Sequence, residues 1–120
     1  MILPMKIAIL VDEEELIRKA NKTVLSKLGY TCFGFSCTRE TSECFQPIKP
    51  DLIICDITVP GLYTPEFDFL SHFRKVLLDT RKILTSRFPV YSDFQELAQT
   101  NGIYVLQKPY LPSELEKLVH

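Results

Sequence analysis

Apolar residues recur along this chain with two alternating periods. KIAILV, residues 6–11, is a β-rich apolar run. Residues 13–28 then place Leu16, Ile17, Ala20, Val24 and Leu28 in an i, i+4 stripe, the signature of a helix with one apolar face. Gly29 suits the position just past such a helix. TCFGFS, residues 31–36, predicts a second strand, and Thr38 a cap for a short helix through about Gln46, stopped by Pro47. In DLIICDITVPG, residues 51–61, four apolar residues from Leu52 to Cys55 run straight into Asp56, with a turn marked by Pro60 and Gly61. Such a run reads as a strand buried on both faces.

Thr64 followed by Pro65 predicts an N-cap and a proline at the first helical position, opening a helix with Phe67, Leu70, Phe73 and Leu77 inward. RKILTS, residues 81–86, predicts a fourth strand. Ser92 and Gln95 have capping-box spacing, ahead of a helix carrying Phe94, Leu97 and Ala98 and ended by Gly102. IYVLQK, residues 103–108, predicts the fifth strand, and Ser113 a cap for a last helix, ELEKLVH. Strand and helix alternate five times, which argues for an α/β fold: a doubly wound (βα)5 parallel sheet with helices on both faces. Without repeats or linkers, residues 1–120 read as a single domain.

Composition narrows the class. The chain is 46% apolar and 24% charged with a net charge of −1, as expected of a globular protein and without the basic stripe that direct nucleic-acid contact needs. No apolar run approaches the roughly 18 residues of a membrane span. The opening MILPMKIAILVDEEE runs into acids where a signal peptide would have its cleavage site, so a cytoplasmic location is expected. The four cysteines, Cys32, Cys37, Cys44 and Cys55, form no CxxC pair, and the only histidines are His72 and His120. Ordinary buried or half-buried thiols in a reducing compartment are favoured over a zinc site.

The candidate chemistry lies at the strand ends. Asp12 closes the first strand with Glu13 after it, Asp56 closes the third, Thr85 the fourth and Lys108 the fifth, just before Pro109. In a parallel sheet these ends share one edge, and ligands bind there at the strand-order switch point. With strand order 2-1-3-4-5, Asp12, Glu13 and Asp56 meet at that point, and Thr85 and Lys108 enter from the next two strands. Carboxylates so gathered raise one another's proton affinity, which a hard cation such as Mg²⁺ relieves. The cation and Lys108 would orient a phosphoryl group, with Asp56 as nucleophile and acceptor.

Each residue also has a plainer reading. Asp12 could be a helix N-cap, and Glu13 to Glu15 could complement the helix dipole. Thr85 could be a solvated strand end, Lys108 a surface lysine, and Pro60 and Pro109 turn formers. The joint placement at four strand ends favours a site.

The motifs ILVDEEELIR, LIICDITVPG, KILTS and LQKPY, in this order and spacing, make the chain resemble the flavodoxin-like receiver domain of two-component response regulators, from about Lys6 to Val119. The resemblance implies that Asp56 is phosphorylated by a sensor histidine kinase or histidine phosphotransfer protein. It implies that Asp12, Glu13, Asp56 and the Thr58 backbone carbonyl hold Mg²⁺. Thr85 and Lys108 would turn toward the phosphoryl group, and Lys108–Pro109 would be cis. The roughly 1.5 to 2 negative charges added would repack the face of the fourth helix, fifth strand and fifth helix, where a homodimer could also form. Thr58 and Arg87 would flank the attacking water in slow self-dephosphorylation; no other enzymatic activity is implied.

Four features depart from the family pattern. Glu13 stands where aspartate is usual. The loop after Pro60 reads GLYTPEFD in place of a compact turn. Val105 occupies the place of the aromatic that moves with the threonine, and Tyr104 beside it points to the other face. The last helix is short and stops at His120, which suits either a natural end or a receiver cut from a longer protein. These motivate an alternative, a degenerate receiver acting as a phosphorylation-independent interaction module. A third reading, an aspartyl-phosphate phosphatase of haloacid-dehalogenase type, lacks its second aspartate, since that place is Thr58.

Overall fold

The computed structural model describes residues 5–39, 41, 49–57, 64, 66, 68–70, 79–89 and 92–119. Strands β1 (Lys6–Val11), β2 (Tyr30–Phe35), β3 (Leu52–Asp56), β4 (Arg81–Ser86) and β5 (Ile103–Gln107) form one sheet. All pairings are parallel and the order is β2-β1-β3-β4-β5, the flavodoxin-like arrangement expected. The completely described helices are α1 (Glu15–Lys27), α2 (Ser92–Thr100) and α3 (Pro112–Val119). Helical residues are also described at 38, 39 and 41 and at 66 and 68–70.

Side chains along the strands alternate between two apolar layers. Ile9, Val11, Ile53, Cys55 and Leu84 pack with Leu70 and with Ala98 of α2. Ala8, Leu10, Leu52, Ile54, Ile83 and Leu106 pack with Leu25 of α1 and Leu115 of α3. Central strands are therefore apolar at successive positions, as a sheet covered on both faces requires.

Packing rotates α1 away from its expected stripe. Leu16 is 79% exposed and Ala20 is exposed, whereas Leu25 and Asn21 are buried and Ile17, Val24 and Leu28 are half-buried. Burying a leucine is worth about 1.5–3 kcal/mol. The exposed Glu15–Lys19 pair on the outer face, at 3.3 Å, is worth a few tenths. Leu25 therefore sets the rotation.

Element boundaries shift by one or two residues. Helix α1 starts at Glu15, and Gly29 at φ 92° ends it so sharply that Tyr30 already pairs with Lys6. Thr38 is itself helical, with Thr41 N–H bonded to the Cys37 carbonyl at 3.3 Å. Thr64 caps as expected, its carbonyl accepting Asp68 N–H at 3.1 Å. Phe67, Phe73 and Leu77 lie outside the described residues. Ser92 is the first residue of α2 instead of its cap, and Leu97 is 38% exposed on it. Ser113 does not cap α3: the helix begins at Pro112, and the Leu111 carbonyl accepts from Glu114 N–H at 3.0 Å. Proline is favoured there because its missing N–H has no helical partner to lose.

Candidate functional site

The strand alternation that builds the α1/α3 layer also builds the site. Asp12, Asp56, Thr85 and Lys108 each lie two residues beyond a core residue of that layer: Leu10, Ile54, Ile83 and Leu106. All four side chains therefore start on one face of the sheet, at its carboxyl edge. Register completes the alignment, with Asp56 opposite Thr85 and Val11 opposite Cys55, each one step before or at the strand end.

Lys108 is the centre of the cluster. Its Nζ lies 2.8 Å from Asp12 Oδ2 and 3.0 Å from Asp56 Oδ1. The Thr85 hydroxyl donates to the same Asp56 Oδ1 at 3.1 Å. Lys108 is held by its backbone N–H on the Ser86 carbonyl at 2.7 Å, and its bond to Pro109 is cis. Gln107 Nε2 donates to that carbonyl as well, at 2.9 Å.

Asp12 is not the helix N-cap of its plainer reading, since α1 begins at Glu15 and its N-cap is Glu14. Asp12 Oδ1 accepts Glu14 N–H at 2.9 Å, ordering the entry to α1, while Oδ2 takes the ammonium. Its carbonyl accepts from Arg18 Nη1. Asp56 is 4% exposed, and its Oδ2 is buried with no hydrogen-bond partner among the described residues. An unsatisfied buried acceptor typically costs about 1–3 kcal/mol, more when charged, so its persistence points to a ligand or a reaction at that atom.

Electrostatics agree with the geometry. Burial raises the Asp56 pKa, the Lys108 hydrogen bond opposes this, and the Asp12 charge adds to the rise. For Lys108, burial acts downward, but the bonds to Asp12 and Asp56 outweigh it and the pKa is raised.

The structure does not bring Glu13 into this cluster. Its carboxylate is exposed and lies 3.6 Å from Arg87, which also reaches Glu14 at 3.5 Å. A third carboxylate beside Asp12 and Asp56 would face two charges balanced by a single ammonium, whereas Arg87 and water are available outside. Thr58, Pro60, Gly61 and Cys44 lie outside the described residues. Among the described residues no three His, Cys, Asp or Glu side chains are gathered for a metal ion, and Cys32, Cys37 and Cys55 are free thiols. Two carboxylates and the unpartnered Asp56 Oδ2 nevertheless suit a hard cation that keeps several waters.

Three contributors were not foreseen from sequence: Arg18, Asn21 and Tyr110. The Tyr110 hydroxyl donates to Asn21 Oδ1 at 2.8 Å. The available signal was Asn21 itself, four residues before Leu25 on a face that must be apolar.

The response regulator receiver domain model matches residues 8–120. The chain belongs to this family. The receiver is 25% identical to chemotaxis protein CheY of Thermotoga maritima over 111 residues, 92% of this chain and 91% of that protein. It is 32% identical to the probable transcriptional regulator ycf27 of Guillardia theta over 108 residues, which are 90% of this chain but 41% of that protein. The beryllofluoride-activated NtrC4 receiver domain dimer shares the receiver fold with a TM-score of 0.82, at 21% identity, over 96% of this chain and 93% of that one.

Proposed function

We propose that this receiver is the phosphoacceptor of a two-component system, taking a phosphoryl group onto Asp56 from phosphohistidine on a sensor kinase or phosphotransfer protein. The observation that carries this reading is the buried Asp56 Oδ2, which has no hydrogen-bond partner among the described residues, on a carboxylate whose other oxygen is fixed by Thr85 and Lys108. Oδ2 forms the new O–P bond as the donor's N–P bond breaks, and that bond's electron pair stays on the imidazole. Lys108 and Thr85 fix Oδ1, which orients the carboxylate with Oδ2 toward the donor, and offset charge on the phosphoryl oxygens. Asp12 and Asp56, with the Thr58 carbonyl and with Glu13 once it leaves Arg87, would hold Mg²⁺, which would neutralise phosphoryl charge when bound. The domain acts as acceptor and switch, with slow self-dephosphorylation as its only turnover. Its output is the face of α2, β5 and α3, which would also serve a homodimer.

The test is incubation with acetyl phosphate and Mg²⁺, read by intact mass. A gain of one phosphoryl group, absent in Asp56→Ala, is expected. The Glu13–Arg87 pair favours a second reading, a receiver that signals through its surface without phosphoryl transfer. That reading gains if neither acetyl phosphate nor a histidine kinase adds mass.

A further inference from the structure

On β5 the residues that flank the site turn away from one another. Val105 is half-buried against the α2-side layer, on which Phe94 also packs. Tyr104 lies on the opposite face, and its ring centroid is 5.1 Å from Arg81 Cζ. No aromatic side chain of β5 therefore faces α2 to carry a displacement from Thr85. On the far side of Lys108 the arrangement is different. Tyr110 packs on the layer that contains Leu25 and Leu115, and its hydroxyl bonds Asn21 Oδ1 at 2.8 Å. Asn21 is 5% exposed and is the one buried polar residue of α1. An amide in that position costs stability unless bonded, so Tyr110 accounts for its presence.

These contacts make a continuous chain. Asp56 Oδ1 meets Lys108 Nζ at 3.0 Å, Pro109 and Tyr110 follow directly in sequence, and Tyr110 is tied to α1. A cleft of about 460 Å³, lined by Ile17, Ala20, Asn21, Arg87, Pro109 and Tyr110, adjoins the pair and leaves room for movement. A change of charge at Asp56 alters the pull on Lys108. Pro109 limits how the short segment can absorb the shift, and a 2.8 Å bond to a buried amide cannot lengthen far without breaking. Either α1 follows or the bond is lost into the cleft, which makes a two-state element.

The geometry points to the Tyr110–Asn21 pair as the coupling through which the charge on Asp56 is transmitted to α1, making α1 and the segment after β5 a second responsive surface beside the α2/β5/α3 face. Tyr110 is thus a positioning residue that acts through Lys108. The inference rests on Asp56 as the switching group but not on the phosphoryl reaction, and the two can fail separately.

The experiment is amide hydrogen exchange of the full chain, read by peptide mass. Asp56→Asn removes one site charge without any phosphoryl chemistry. We expect it to change exchange in α1 by about fivefold or more, the low end of ordinary site-to-site coupling. The change should be absent when Asp56→Asn is combined with Tyr110→Phe, or with Asn21→Leu should the first combination fold poorly. Acetyl phosphate with Mg²⁺ should change the same α1 peptides in the otherwise unmodified chain. Unaltered α1 exchange in Asp56→Asn, or a change that survives loss of the Tyr110 hydroxyl, overturns the inference. Absence of phosphoryl uptake alone overturns only the proposed acceptor reaction.

Discussion

At the residue scale, this receiver balances two buried carboxylates with one ammonium, and the imbalance predicts pH-dependent stability. The Asp56 pKa is raised in the folded state, chiefly by burial. The folded form therefore holds its proton more tightly than the unfolded chain, and stability falls as pH rises from the ordinary carboxylate range through the raised value. Asp56→Asn should be more stable than the unsubstituted chain at neutral pH, with the advantage shrinking in acid; urea unfolding across that range reads the difference. Lys108 acts in the same direction, but at the alkaline end. Its raised pKa means that its contribution is complete below the ordinary lysine value and is lost as pH climbs through the folded one. Lys108→Met leaves Asp12 and Asp56 without a cation and should cost about 3 kcal/mol at neutral pH, since breaking a buried pair leaves its charge uncompensated. A loss within the error of a surface substitution would contradict the assigned burial of the cluster.

At the element scale, helix ends matter more than helix interiors for placing the site. Gly29 sits at φ 92° and Gly102 at φ 70°, so each ends its helix and sends the chain straight into the next strand. A Cβ at Gly29 would meet no atom within 4 Å. Gly29→Ala should therefore cost only the left-handed backbone penalty, about 1 kcal/mol by chemical denaturation. A much larger loss would mean that the position is crowded after all. Helix α1 shows why side-chain burial outranks pattern. Leu16 belongs to the periodic stripe yet is 79% exposed, because rotating it inward would displace Leu25 and break the Asn21–Tyr110 bond. The start of α3 shows the same for caps: a proline at its first position and the Leu111 carbonyl do the work expected of Ser113.

At the scale of the whole molecule, five parallel strands bring four dispersed side chains to one edge, and that edge should report ligand binding as global stability. A cation that binds the folded site and not the unfolded chain raises the unfolding midpoint by mass action. Mg²⁺ should thus raise the thermal midpoint of the unsubstituted chain in a concentration-dependent manner and have little effect on Asp12→Asn/Asp56→Asn. An equal rise in the double variant would place the cation elsewhere. Glu13 enters the same experiment: if it leaves Arg87 on metal binding, Arg87→Ala should strengthen the Mg²⁺ response, because the competing 3.6 Å pair is gone.

Much of the fold and part of the site could be read from the sequence alone, and the reason is local. Buried central strands are continuous apolar runs, turns carry Gly and Pro, and the polar residues of the candidate site stand directly after those runs, so Asp56 after LIIC and Lys108 after IYVLQ are visible as interruptions. The alternation of strands and helices implied the sheet, and the family motifs its order. Tertiary structure alone decided which side chains meet. Asp12, Asp56, Thr85 and Lys108 come together because their strands pair in register with their side chains on one face, while the adjacent Glu13 points outward to Arg87. Helix rotation and the Tyr110–Asn21 bond depend on residues far apart in the chain, and no local period encodes them. Periodicity says which face of an element is apolar; only the competition among all buried groups for the same interior, and the balance of charge within it, determines where that face finally points.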